Sequence, residues 1–107
     1  MSWSIEQARE HYNIAQWSQG YFDISPQGHL CAYPYPGRAV HIDLPALIEK
    51  LLAHGLRFPL LIRFTDILQH RVHILQSAFA LAMEKHAYHG GYLSVYPIKT
   101  NQQLSVA

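Results

Sequence analysis

The stretch PLLIRFTDILQHRVHILQSAFALAMEKHAYHGGYLSVYPIK, residues 59–99, decides the fold class. Leu60-Leu61-Ile62-Arg63-Phe64 is a short, nearly continuous apolar run after a proline, the pattern of a parallel strand buried on both faces. Behind a cap at Thr65 or Asp66, the positions Ile67, Leu68, Val72, Leu75, Ala78, Phe79, Ala82 and Met83 recur at helical spacing, which predicts a helix from Ile67 to His86. Gly90-Gly91 closes it. Tyr92 to Lys99 then reads as a second strand. Strand, helix and strand together have the size of one βαβ unit, whose strands are parallel and whose crossover is right-handed. One helix cannot cover both faces of such a sheet. The expected fold is therefore α/β, and these residues read as the start of a larger structure.

Working back towards the N-terminus, Ser4 followed by Gln7 has the spacing of a capping box. Ile5, Ala8, Tyr12 and Ala15 share one face, so a single helix is expected as far as Trp17. Tyr21 to Ile24 and His29 to Tyr33 read as two short strands joined by Ser25-Pro26-Gln27-Gly28, where proline fixes one φ and glycine permits a positive one. Tyr33-Pro34-Tyr35-Pro36-Gly37 is a loop, because alternating prolines cannot support a ladder. Ala39 to Ile42 is a further expected strand. Asp43 reads as an N-cap with Pro45 in the first turn of a helix. Leu44, Leu47, Ile48, Leu51 and Leu52 form its apolar stripe, and Gly55 ends it.

Composition narrows the function. The 107 residues suit one small domain. Eight Lys and Arg against seven Asp and Glu give a net charge of +1, which leaves no electrostatic footprint for nucleic acid or an anionic membrane. No apolar run approaches the roughly 20 residues that span a bilayer. The first residues show neither the basic nor the apolar region of a signal peptide. Cys31 is a lone cysteine, which fits a reducing compartment. The cytoplasm is the expected location.

Lys99 is the leading chemical candidate. It ends an apolar strand, where α/β folds place their sites, and Leu93, Val95, Pro97 and Lys99 alternate onto one side. A desolvated lysine there becomes a nucleophilic amine; the plainer alternative is the first solvated residue after a strand. Arg63, at the end of the preceding strand, would stand beside it, bordering a pocket or pairing with Asp66. Eight histidines include the i, i+3 pairs His70/His73 and His86/His89, but no Cys or carboxylate stands at ligand spacing. Helix-surface histidines are expected, with no metal ligand assigned. Cys31 is expected to act as a small core residue.

Val95-Tyr96-Pro97-Ile98-Lys99-Thr100-Asn101-Gln102 is similar to the lysine motif of the biosynthetic arginine decarboxylases, fold-type III enzymes of the alanine racemase-like class. Trp3-Ser4-Ile5-Glu6-Gln7-Ala8-Arg9, Tyr12-Asn13-Ile14, Gly20-Tyr21-Phe22-Asp23-Ile24, Arg63-Phe64 and Asp66-Ile67-Leu68-Gln69-His70-Arg71 resemble the same family in the same order. The chain departs from the family pattern at Thr100, usually Val, and at Thr65, often Pro. The resemblance implies an N-terminal fragment of a pyridoxal 5'-phosphate enzyme that decarboxylates L-arginine to agmatine in polyamine biosynthesis. Lys99 would be both the catalytic and the cofactor-binding lysine. Residues 1–58 would form a helix and β-strand segment, and residues 59–107 the first β-α-β of a (β/α)8 barrel of TIM type. The family is also associated with Mg2+, and the complete enzyme would be a homo-oligomer. The fragment alone is expected to be inactive. A non-catalytic remnant or interaction module is the alternative, as is a related decarboxylase acting on ornithine, lysine or diaminopimelate.

Overall fold

The computed structural model describes residues 2–101 and 103–104. The chain divides into two compact units, one ending at Arg63 and the other beginning at Phe64.

The first unit opens with two short helices, α1 (Ile5–His11) and α2 (Ile14–Ser18). The capping box forms as expected: the Gln7 amide donates to Ser4 Oγ at 3.1 Å, and the Ser4 amide donates to Gln7 Oε1 at 2.9 Å. Such a cap contributes about 1 kcal/mol. The single helix expected to Trp17 is broken at Asn13, whose φ of 55° places it in the left-handed region. Asparagine tolerates that conformation better than most residues, and it interrupts the helical ladder. Trp17 is still tied across the break, its Nε1–H donating to the Tyr12 carbonyl at 3.0 Å.

The chain then forms a three-stranded antiparallel sheet in the order β1 (Phe22–Ile24), β2 (Leu30–Ala32) and β3 (Ile42–Asp43). Phe22 faces Ala32 and Ile24 faces Leu30, while Cys31 faces Asp43 and Ala32 faces Ile42. The expected hairpin turn closes through Ser25 N–H to the His29 carbonyl and Gly28 N–H to the Ser25 carbonyl, both 2.8 Å. Gly28 sits at φ +84°, which a side chain would strain. The third strand begins three residues later than expected and ends one residue later, because only Ile42 and Asp43 reach β2. Asp43 then caps α3 (Leu44–Ala53), its Oδ1 accepting from the Ala46 amide at 3.0 Å.

The core is small. Ala8, Ile14 and Ile24 are buried together, with Ile5 and Leu30 packed against them. Cys31 and Ala32 are fully enclosed. Removing a buried Ile side chain to Ala costs about 2–5 kcal/mol in such a setting, so this cluster carries much of the unit.

The second unit is one long helix, α4 (Thr65–Lys85), followed by an irregular segment and a single 3₁₀ turn at Ile98–Thr100. The helix starts at Thr65, so Thr65 and Asp66 stand in its first turn, and Phe64 occupies the cap position without a side-chain bond. Asp66 remains favourably placed against the helix dipole. Residues 60–64 and 91–97 carry no strand ladder. The two parallel strands expected there are not formed among the described residues. An apolar run acquires strand structure only by exchanging backbone hydrogen bonds with a neighbouring strand, and among the described residues neither stretch forms such a ladder. What the described residues hold is helix plus a small antiparallel sheet, compatible with the α/β class. None of the described residues from Phe64 onward is buried.

Candidate functional site

Lys99 lies in the second unit, at the centre of the 3₁₀ turn, rather than on a strand. Pro97 leads into the turn at φ −74°, the value its ring fixes. Thr100 N–H donates to the Pro97 carbonyl at 3.0 Å, and Thr100 Oγ1 donates to the same oxygen at 2.9 Å. Tyr96 Oη donates to the Asn101 carbonyl at 3.2 Å, and Gln103 N–H donates to Asn101 Oδ1 at 3.0 Å. Lys99 is exposed, and among the described residues its amine is in no hydrogen bond or ion pair. Leu93 and Val95, which alternation places on the side of Lys99, are 84% and 81% exposed. Gln102, part of the same motif, lies outside the described residues.

The histidine pairs sit along and after α4. His73 Nε2 shares a 3.5 Å contact with Ser77 Oγ. Among the described residues no three His, Cys, Asp or Glu side chains converge as a metal site would require. No described helix is long and apolar enough to cross a membrane. Cys31 is the small buried residue expected. Burial, with the Asp43 charge behind it, raises its thiol pKa and keeps it an inert thiol.

The first unit holds a feature that sequence reasoning missed: a cleft of about 560 Å³ whose charged lining includes Glu6, Arg9, Glu10, Asp23 and Arg38. Arg9 is fully engaged. Its Nε donates to Asp23 Oδ1 at 2.8 Å and Nη2 to Asp23 Oδ2 and the Ile24 carbonyl at 3.3 Å each, while Nη1 reaches Glu6 at 3.2 Å. The bond to Asp23 holds the guanidinium pKa above its ordinary value. Burial pushes the Asp23 carboxyl up, yet the Arg9 bonds and the Ile24 amide outweigh it and leave the pKa lowered. The guanidinium is thus spent on joining α1 to β1 and is not a free cation for a ligand. Opposite charges at positions 9 and 23 are visible in the sequence, but nothing in the spacing pairs them.

At the end of β3, His29 Nδ1 and Asp43 Oδ2 are 2.8 Å apart. The Ala46 amide first, and His29 second, lower the Asp43 pKa. One carboxylate therefore joins the hairpin to the start of α3.

No family model matches the chain. Curated relatives do, over essentially its whole length. A biosynthetic arginine decarboxylase of Xylella fastidiosa strain M23 is 46% identical over 107 residues, covering 100% of the chain and 17% of that protein. One from Xanthomonas axonopodis pv. citri is 47% identical over 106 residues, 98% of the chain and 17% of the relative. A third, from Shewanella amazonensis, is 45% identical over 105 residues, 97% of the chain and 16% of the relative. The chain spans about one sixth of the length of the relatives it matches.

Proposed function

We propose, from a chain homologous along its whole length to a segment of the biosynthetic arginine decarboxylases, that these residues serve a pyridoxal phosphate-dependent enzyme converting L-arginine to agmatine and carbon dioxide. The observation that carries this reading is the likeness itself, 45–47% identity over 97–100% of the chain. It supports the activity for the complete enzyme, and Lys99 as the lysine that holds the cofactor.

The chemistry of Lys99 fits that role. A primary amine with no competing partner among the described residues is available for covalent attachment to an aldehyde. Bound there, pyridoxal phosphate would supply an electron-accepting ring for the pair left when the carboxylate departs. Lys99 would hold that ring through its amine. Holding the phosphate, the ring nitrogen and the guanidinium of arginine requires further groups, which we assign to the rest of the complete enzyme. No residue here is assigned to Mg2+.

The same reading accounts for the apolar stretches without a ladder. In the complete enzyme, residues 60–64 and 92–96 become the first two strands of a (β/α)8 barrel, α4 is the helix between them, and the turn that carries Lys99 follows the second strand. Neighbouring barrel strands supply the missing backbone partners, and the barrel core covers Leu93 and Val95.

The test is a hybrid in which this chain replaces the homologous segment of the Xanthomonas axonopodis enzyme. Agmatine formation is expected, and Lys99→Ala should lower it about a thousandfold or more. Borohydride reduction followed by peptide mapping should place the pyridoxyl group on Lys99. A Lys99→Ala hybrid of full activity would sink the assignment. Carbon dioxide release from ornithine, lysine or diaminopimelate in place of arginine would keep the lysine and change the substrate. The 107 residues alone should form no agmatine above a Lys99→Ala control, because most of the necessary groups are elsewhere.

A further inference from the structure

Two side-chain hydroxyls close the backbone on either side of Lys99. The Tyr96 hydroxyl spans from position 96 to the Asn101 carbonyl, and the Thr100 hydroxyl spans back to Pro97. The two spans are nested, and Lys99 lies inside both. Pro97 is already restricted by its ring, and its carbonyl takes both the amide and the hydroxyl of Thr100. Side-chain to backbone bonds of this kind stabilise turns locally, without help from tertiary packing. That matters here, since residues 93–100 are all exposed and, apart from the 2.7 Å bond between Tyr92 Oη and Ser94 Oγ, these tethers are the side-chain bonds that hold the segment leading into the turn.

A lysine side chain has four rotatable bonds, so the direction of its first bond decides which region the amine samples. A turn that wanders spreads the amine over more positions, and each unproductive position lowers the effective concentration of amine at a bound aldehyde. The inner tether comes from Thr100, where the motif departs from its usual valine. Valine has the same shape and cannot donate.

We propose that Thr100 and Tyr96 are positioning residues for Lys99, acting through hydroxyl tethers that close the turn carrying the cofactor lysine. This rests on the reading of Lys99 given above. Neither residue touches the reacting atoms.

The test uses the hybrid enzyme with Thr100→Val, Thr100→Ser and Tyr96→Phe. The readout is the pyridoxal phosphate concentration giving half-maximal growth of the enzyme-bound cofactor absorbance, with the pH midpoint of that band. Loss of one exposed hydrogen bond corresponds to roughly a three- to tenfold change. Thr100→Val and Tyr96→Phe should raise the half-saturating concentration by that factor and displace the pH midpoint. Thr100→Ser, which keeps the hydroxyl, should restore both. In the 107-residue chain, the Thr100 amide should exchange several-fold more slowly than in Thr100→Val, a readout that needs no cofactor. Equal half-saturation in Thr100→Val, Tyr96→Phe and the parent, or a Thr100→Ser hybrid as weak as Thr100→Val, would overturn the tethers while Lys99 stands. Covalent reconstitution of a Lys99→Ala hybrid would overturn the cofactor reading itself and the tethers with it.

Discussion

The Arg9–Asp23 pair is where the first unit depends on single charges. Asp23 accepts from Arg9 Nε, from Nη2 and from the Ile24 amide, a forked arrangement that fixes both partners. Both side chains keep close to 40% of their surface exposed, so water screens the attraction. Asp23→Asn should therefore lower stability by only about 1 kcal/mol near neutral pH, measured by urea unfolding. The pH dependence has a definite sign. The carboxyl is more acidic folded than unfolded, so the unfolded chain binds its proton first as pH falls. Its contribution is complete above the ordinary aspartate range of about 3.9 and fades as pH drops through the folded value. The difference between Asp23→Asn and the parent should be full at pH 6 and shrink as the solution becomes strongly acidic. A difference that grew on acidification would contradict the lowered pKa.

Among the elements, the helix break at Asn13 is the feature most open to substitution. Its φ of 55° costs a β-branched residue roughly 1–2 kcal/mol and glycine little. Asn13→Val should lower the unfolding free energy by about that amount, and Asn13→Gly should stay within a few tenths of the parent. If valine were tolerated equally, α1 and α2 would be one continuous helix in solution. The break also shows which elements the sequence declares. Ser4 with Gln7, Ser25 to Gly28, and Asp43 with Pro45 were legible because each signal acts over three or four residues and needs no distant partner. Asn13 was not, since Tyr12 and Ala15 continue the apolar spacing and the local pattern favours one helix. The pairing of Arg9 with Asp23 was hidden for a different reason: it depends on how α1 folds onto β1. The motif marked Lys99 as the candidate, whereas the 3₁₀ turn around it was not legible. Alternation announced a strand, and a strand takes shape only once a neighbour supplies its hydrogen bonds.

Across the whole molecule, the two units differ in what holds them. The first encloses Ala8, Ile14, Ile24, Cys31 and Ala32 and satisfies its sheet internally. The second buries none of its described residues, leaving Leu81 at 67%, Leu93 at 84% and Val95 at 81% exposure. Local opening is governed by buried contacts and paired amides, so the units should exchange amide hydrogens on separate time scales. In the 107-residue chain, the Ser25 and Tyr33 amides, which donate to the His29 and Tyr21 carbonyls, should be the slower class. Amides of residues 60–63 and 91–96 should exchange near the rate of an unstructured peptide. If, as proposed, they become barrel strands, the same stretches in the hybrid decarboxylase should slow by at least about a hundredfold, their N–H groups taken up by neighbouring strands. That change would tie the missing ladder to missing partners. Fast exchange persisting in an active hybrid would mean that these stretches are not barrel strands, and the apolar pattern of residues 60–64 would need another explanation. Slow exchange already present in the isolated chain, rising with concentration, would mean instead that copies pair through these stretches, as uncovered strand edges invite.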